Sequence, residues 1–197
     1  MTTTNREDEL EGPQGSDEPD RTHDGRAAHR DENGVVVRGA VGDDLGGVLS
    51  VGHRTWLATY EPIAGPEYVA MGLAKWWTSD VVTDSIRKGR TLVAVKDDEV
   101  VGVATFGTQN DAFVMWKLYV LPDYHGHGIG SRLMDAVVDR AREAEHDRII
   151  LSYMEGNQLA ARFYRRHGFV ETHRESGGSG MPESVWMARE LGEEETA

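Results

Sequence analysis

Cysteine is absent from the 197 residues of the chain, and lysine is scarce, with four residues against seventeen arginines. Without cysteine the chain has no disulfide framework and no thiol nucleophile. Any covalent or acid–base chemistry must therefore come from other side chains or from a bound cofactor.

Long apolar runs are also missing. No stretch approaches the roughly 18 apolar residues that a membrane span needs, and the polar N-terminus lacks the pattern of a signal peptide. We therefore expect a cytoplasmic protein with no membrane association.

Positive charge is in deficit, since the formal net charge is −13 at pH 7. Nucleic-acid binding needs clustered lysine and arginine, so the sequence argues against it. It argues equally against binding to an anionic membrane surface. The acidity is compatible with a cationic amine substrate, although surface acidity usually serves solubility. The low lysine content fits either a GC-rich genome or a salt-adapted surface, and the sequence does not separate the two.

The acidic residues are concentrated at the N-terminus. Residues 1–34 hold ten acids and four arginines, with almost no large apolar side chains. Such a segment buries too little surface to offset its ordering entropy, so we predict a disordered arm. Residues 35–191 are predicted to form a single domain, and residues 192–197 a second, short acidic tail.

A glycine-rich turn joins a predicted strand to a predicted helix. The run from Phe113 to Leu121 is apolar and rich in aromatic residues, which is typical of a strand. Beyond the turn, apolar residues recur at helical spacing, at Ile129, Leu133, Val137 and Ala141. Glycines in such a turn let the backbone approach a ligand, and the first amides of the helix can bind an anion. The segment predicts a phosphate cradle, with an ordinary strand-to-helix turn as the alternative.

Two nucleotide-binding motifs fail on spacing. A P-loop needs a lysine after its glycines, but Lys117 is the last lysine of the chain. A dinucleotide fingerprint that opens at Gly126 and Gly128 needs a third glycine where Ser131 stands.

A second motif lies downstream, in the segment from Glu155 to Phe169. Its Asn157 is a good helix N-cap and its Gly168 is typical of a helix end. Leu159, Ala160, Phe163, Tyr164 and His167 fall on one helical face. Taken alone, these features also describe a plain amphipathic helix.

Together the two segments resemble the diagnostic motifs of the GNAT acetyltransferases. The first, from His125 to Gly130, matches Gln/Arg-x-x-Gly-x-Gly/Ala except that His125 replaces Gln or Arg. The second matches Asn-x-x-Ala-x-x-Phe-Tyr-x-x-x-Gly-Phe at every position. The resemblance covers about Leu118 to Phe169 and implies the GNAT fold, an α/β (α+β) domain with a mixed, mostly antiparallel sheet and helices on both faces.

The predicted elements follow the order β-α-α-β-β-β-α-β-α-β-β. They are Val35–Arg38, a helix near Asp43–Tyr60 capped by Asp43 or Asp44, a helical region near Pro66–Arg87, Thr91–Lys96, Glu99–Phe106, Phe113–Leu121, Gly128–Ala144, Arg148–Met154, Gln158–His167, Phe169–Arg174 and Ser184–Ala188. The segment from Trp56 to Ile63 resembles the acceptor-side helices of small-molecule members of the family.

The resemblance implies acetyl-CoA as cosubstrate and transfer of its acetyl group directly to a primary amine in a ternary complex. The strand Lys117–Val120 is expected to splay from its neighbour, so that the Leu118 amide faces the thioester oxygen. The implied general acid is Tyr164, which protonates the departing thiolate. The implied cofactor contacts are Leu118, Tyr119, Val120, His125, Gly126, His127, Gly128, Ile129, Gly130, Ser131, Asn157 and Tyr164.

The general base, the amine acceptor and the oligomeric state stay open. Asp111, Glu155 and Tyr119 lie near the strand ends, but a water chain to solvent serves equally well. The acceptor is a small molecule or a peptide, and a homodimer is one option for assembly. His125 and His127 lack the further ligands of a zinc site, so no metal is expected. A non-catalytic acyl-CoA sensor or scaffold of GNAT fold is the alternative function.

Overall fold

The structure, a computed structural model, describes residues 34–178 and 181–192. The predicted acidic arm and tail fall outside these ranges, apart from Gly34 and Gly192. The boundaries of the predicted domain therefore stay predictions.

In the part of the chain that the structure describes, seven strands form one mixed sheet. They are β1 (Val35–Gly39), β2 (Thr91–Lys96), β3 (Glu99–Gln109), β4 (Ala112–Val120), β5 (Arg148–Met154), β6 (Val170–Glu175) and β7 (Ser184–Glu190). Their spatial order is β1-β2-β3-β4-β5-β7-β6. Only the pairing of β4 with β5 is parallel, and all the others are antiparallel. The predicted fold class and the order of elements are confirmed.

Four α-helices of the described residues accompany the sheet: α1 (Leu45–Trp76), α2 (Ser79–Arg87), α3 (Ile129–Glu143) and α4 (Gln158–Arg166). Helices α1 and α3 each pack against β3 and β4. Apolar residues of α3 at helical spacing, Leu133, Val137 and Ala141, are fully buried. Burial of this stripe explains why the periodic pattern in the sequence is so regular.

The first helical region agrees with the prediction in part. We expected two helices, near Asp43–Tyr60 and Pro66–Arg87, and α1 (Leu45–Trp76) indeed consists of two helical halves separated by non-helical backbone at Gly65. The ring of Pro66 disfavours helical backbone at the residue before it, and Gly65, which has no Cβ, adopts φ 82° there. A second break, which was not predicted, separates α1 from α2 at Thr78. The Thr78 hydroxyl accepts a hydrogen bond from the Val81 amide and so caps α2.

The predicted cap of the first helix also takes a different role. Asp44 does occupy the N-cap position of α1, but its carboxylate makes no capping bond to that helix. It accepts two hydrogen bonds from Arg38, at 2.6 and 2.9 Å, and one from the Val41 amide at 2.8 Å. The side chain therefore ties β1 to the start of α1.

Glycines within α1 let two tryptophans pack against its backbone. A Cβ at Gly52 would collide with the Trp77 ring, and one at Gly72 with the Trp56 ring. Both indoles are nearly inaccessible to solvent. This close packing fixes the two halves of α1 against each other. Within the described ranges, no helix is both long enough and apolar enough to span a membrane.

Candidate active site

The glycine turn after β4 depends on left-handed backbone. Gly126 has φ 82° and Gly128 has φ 75°, values that L side chains rarely adopt. A Cβ at either position would meet no atom within 4 Å. The two glycines are therefore required by the backbone conformation, and they leave open space above the turn.

Helix α3 starts directly from this turn. Gly128 is its N-cap, and the first bond within the helix runs from the Arg132 amide to the Gly128 carbonyl at 3.1 Å. The amides of Ile129, Gly130 and Ser131 thus have no acceptor inside the helix. No acidic residue lies in the first turn. The positive end of the helix dipole is therefore available to an anion.

The two histidines of the turn brace its backbone. The His125 Nε2 donates to the Val120 carbonyl at 2.8 Å, and the His127 Nδ1 donates to the His125 carbonyl at 3.0 Å. These bonds hold the turn against the end of β4. No group of three or more potential metal ligands occurs in the part of the chain that the structure describes.

The parallel ladder between β4 and β5 is short. Only Phe113 pairs with Ile149 and Val114 with Ile150, although both strands continue. The register between β3 and β4 also shifts at this point, leaving Trp116 as an extra residue in β4. The expectation that Lys117–Val120 splays from the neighbouring strand is confirmed.

A cavity of about 910 Å³ opens in the resulting gap. It reaches from the glycine turn, along the second half of β4, to α1, β5 and the start of α4. Every predicted cofactor contact lines it except His127. The His127 ring instead bonds to the His125 carbonyl within the turn.

Tyr164 of α4 lies at the wall of this cavity with 8% of its surface exposed. Its ring contacts the rings of Phe163, Phe169 and Tyr153. Burial, assisted by the nearby Tyr60, raises the pKa of the Tyr164 hydroxyl. The group therefore keeps its proton throughout the neutral and mildly alkaline range, as a proton donor must.

Tyr60 of α1 is a cavity residue that the sequence reasoning missed. Its hydroxyl lies 3.1 Å from that of Tyr119 on β4. Burial raises the pKa of both phenols, and strongly so for Tyr119. Tyr119 thus stays protonated at neutral pH and is unsuited to be the general base. The only signal for Tyr60 was its place in the segment that resembles acceptor-side helices.

Asn157 combines two roles that the sequence left as alternatives. Its Oδ1 accepts a hydrogen bond from the Ala160 amide at 3.1 Å and so caps α4. The same residue lines the cavity. Since the oxygen is engaged in the cap, the side-chain NH₂ is the group suited to donate to a ligand.

Two further cationic or ionisable residues, Arg166 and His167, line the cavity beside the glycine turn. The His167 Nε2 lies 3.1 Å from the hydroxyl of Ser131. Burial lowers the pKa of His167, so the ring is largely neutral at pH 7. Both residues occupy unspecified positions of the second motif, which is why the motif alone did not single them out.

The candidate carboxylates for a general base lie away from the cavity. Asp111 occupies the turn between β3 and β4, and Glu155 accepts a hydrogen bond from Arg174 at 2.8 Å. Neither side chain lines the cavity.

Lys117 is half-buried on the α1 side of β4. Its ammonium donates to the Trp76 carbonyl at 3.1 Å and lies 4.7 Å from the centre of the Trp77 ring. Burial lowers the pKa of Lys117 to about 8. The lysine thereby joins the C-terminal end of α1 to the strand that forms the cavity floor.

Comparisons with known proteins agree with this geometry. The model of the Acetyltransferase (GNAT) family matches residues 53–169. An uncharacterized N-acetyltransferase of Mycobacterium tuberculosis is 33% identical over 131 residues, which cover 64% of this chain and 83% of that protein. The L-amino acid N-acyltransferase MnaT of Escherichia coli is 31% identical over 86 residues, or 41% of this chain and 50% of its own length.

Among solved structures, the PaiA N-acetyltransferase of Thermoplasma acidophilum, in complex with coenzyme A, superimposes with a TM-score of 0.71. The match covers 79% of this chain and 98% of that one at 19% identity. At this identity the likeness concerns the fold.

Proposed function

The chain belongs to the GNAT acetyltransferase family, and from that premise we propose that it transfers the acetyl group of acetyl-CoA directly to a primary amine within a ternary complex. The observation that carries the proposal is one continuous cavity. It joins a helix N-terminus suited to phosphate, a strand with separated backbone and the protonated Tyr164.

The glycine turn and the start of α3 would hold the pyrophosphate of the cosubstrate. The amides of Ile129, Gly130 and Ser131 supply donors, and the left-handed Gly126 and Gly128 keep side chains out of the space above them. Because main-chain amides carry this binding, the replacement of the family's Gln or Arg by His125 has little consequence.

The second half of β4 would hold the pantetheine arm. Its separation from β5 leaves backbone groups of Leu118 and Val120 beside the cavity, and Asn157 lines the same cavity. An amide of this strand, that of Leu118, would stabilise the negative charge on the thioester oxygen. One such donor contributes about 3 kcal/mol in well-studied acyl-transfer sites.

The reaction needs no nucleophile from the protein. The unprotonated amine attacks the thioester carbonyl, a carbon–nitrogen bond forms, and the carbon–sulfur bond breaks. The departing thiolate takes the proton of the Tyr164 hydroxyl, and Tyr164 then regains a proton from solvent. The nitrogen of the new amide loses one proton. Juxtaposition of the two substrates in one cavity supplies much of the remaining acceleration.

The proton of the amine would pass to water. The two phenols near the reacting centre, Tyr60 and Tyr119, keep their own protons because burial raises their pKa values. Neither Asp111 nor Glu155 lines the cavity. Activity should therefore rise with pH as the free amine itself loses its proton.

The proposal is tested by binding and turnover together. Free CoA at a hundredfold excess over its Kd should stabilise the protein by about 2.7 kcal/mol, read as a rise in Tm. Acetyl-CoA with a panel of amines should then release free thiol. Absence of both effects contradicts the proposal, whereas binding without turnover of any amine favours the acyl-CoA sensor or scaffold.

A further inference from the structure

The two ends of the cavity differ in their ionisable side chains. Arg166, His125 and His167 all lie at the end that carries the glycine turn. Toward α1 and β5, the lining consists of aromatic rings, aliphatic groups and hydroxyls. We call this second region the acceptor end, and it is formed by Thr59, Tyr60, Ile63, Trp116 and Tyr153.

The acceptor end is built from three separate elements. Thr59 and Ile63 are four residues apart on α1, so they share one helical face. Ile63 packs against the loop after β5, where a Cβ at Gly156 would approach it to 3.1 Å. Trp116 comes from the irregular position of β4 and is 42% exposed. The result is a mostly apolar wall beside the reacting centre.

No aspartate or glutamate lines the cavity within residues 34–178 and 181–192. No arginine or lysine of those ranges lines the acceptor end either. The side-chain hydrogen-bonding groups there are uncharged, namely hydroxyls and the Trp116 indole N–H, and the hydroxyls of Tyr60 and Tyr119 are already bonded to each other at 3.1 Å. A second charged group on an acceptor would therefore lose water without gaining a charged partner, which is unfavourable.

We propose that the acceptor is a primary amine whose reacting nitrogen is its only ionisable group, and whose substituent is aliphatic or aromatic. This inference rests on the proposed function and names the substrate class of the same site. An apolar substituent gains from burial against Ile63 and Trp116. A second ammonium, as in a polyamine, and a carboxylate, as in an amino acid, both lack a partner at the acceptor end.

Matched amines test the inference through the rate of thiol release. We compare pentylamine with 1,5-diaminopentane, and 2-phenylethylamine with phenylalanine, all at pH 9. In each pair the first compound should have a kcat/KM about tenfold higher or more, after correction for the two equivalent amines of the diamine. Equal or higher values for the diamine or the amino acid would overturn the inference.

A substitution that installs the missing charge sharpens the test. Thr59→Asp places a carboxylate at the acceptor end with little change of volume, and Thr59→Asn is the uncharged control of the same shape. The preference for pentylamine over 1,5-diaminopentane should fall by about tenfold in Thr59→Asp and stay unchanged in Thr59→Asn. An unchanged preference in both variants would contradict the assignment of this wall to the acceptor.

Failure of the inference is distinguishable from failure of the proposed function. If no amine is acetylated, the same four compounds are added to protein saturated with free CoA, and Tm is recorded. A rise for pentylamine and 2-phenylethylamine alone supports the substrate class. A rise for the diamine or for phenylalanine, or for none of the four, overturns it, whatever the turnover.

Discussion

The two ends of the cavity are built in different ways. The end proposed for the cofactor, which we call the cofactor end, is formed by main-chain amides at the start of α3, with Arg166 and His167 beside them. The acceptor end is formed by side chains from α1, β4 and β5. Binding by main-chain amides tolerates the replacement of individual side chains. Where side chains form the wall, each substitution changes which ligand the wall favours. Under the proposed function, the first end would hold the cosubstrate that the family shares, and the second would determine which amine is accepted.

The largest expected effect lies between the two ends, at Tyr164. Tyr164→Phe keeps the ring and its packing but removes the hydroxyl, so kcat should fall about 100-fold, at the lower end of the range for general acid catalysis. A thiolate is a tolerable leaving group, which limits the loss. Cofactor Kd and Tm should change little.

The measurement is kcat and cofactor Kd for both proteins over pH 6–10. An unchanged kcat would make Tyr164 a packing residue and leave the two ends without a shared catalytic group.

A change at the cofactor end should leave the acceptor end untouched. Gly128→Asp introduces a negative charge at the start of α3 and forces an aspartate into backbone with φ 75°. We expect CoA to bind about tenfold more weakly or worse. The KM of the amine, measured at saturating acetyl-CoA, should stay within about twofold.

The control is Gly89→Asp, which also has a positive φ and open space but lies in the turn after α2. Wild-type affinity for CoA in Gly128→Asp would show that the pyrophosphate binds elsewhere.

Lys117 follows Trp116 of the acceptor end in β4, and it should make the free energy of unfolding depend on pH. Its folded pKa of about 8 lies below the ordinary value of 10.5, so the unfolded chain binds more protons between these values. The free energy of unfolding should therefore rise between pH 8 and about pH 10, by on the order of 2 kcal/mol. Above pH 10 the buried tyrosines, whose pKa values are raised, reverse the trend.

Thermal unfolding of Lys117→Met against the unmodified chain checks this. The variant should lack the rise, and Lys75→Met, at an exposed lysine of α1, should retain it. A rise of the same size in Lys117→Met would assign the effect to another group.

The smallest effect is expected at the acceptor end. Tyr60→Phe removes the hydroxyl that bonds to Tyr119 and leaves that phenol without its partner. We expect kcat/KM for an amine to fall about three- to tenfold, with cofactor Kd unchanged. Tyr68→Phe is the control, because Tyr68 packs on Trp56 but does not line the cavity. Equal effects of the two substitutions would mean that Tyr60 acts only through the packing of α1.

The local structure of the glycine turn and of the second motif was predictable from the sequence, because its determinants are local. Gly126, Gly128 and the start of α3 lie within a few residues of one another, and the second motif places Tyr164 and Asn157 on one short helix. Strand Arg148–Met154 was predicted with the bounds that the structure has. Such segments follow from periodicity, capping and turn chemistry.

The acceptor end was not predictable in this way, because its contacts are far apart in the chain. Tyr60 and Tyr119 are separated by 59 positions, and Lys117 and Trp76 by 41. The break between the two predicted helices is present at Gly65, but the break at Thr78, inside the predicted helical region Pro66–Arg87, was missed. Trp77, just before that break, packs against Gly52, a contact that the local sequence pattern does not reveal.

The two-residue ladder between β4 and β5 divides the sheet into units that should open separately. Strands β1–β4 form one continuous hydrogen-bonded set, and β5, β7 and β6 form another. In hydrogen–deuterium exchange, the amides of β5–β7 should therefore exchange through a smaller opening than those of β2 and β3. A cosubstrate lying in the gap would bond to both sets, so its addition should slow exchange in β5–β7 more than in β1–β3 and make the two units unfold together.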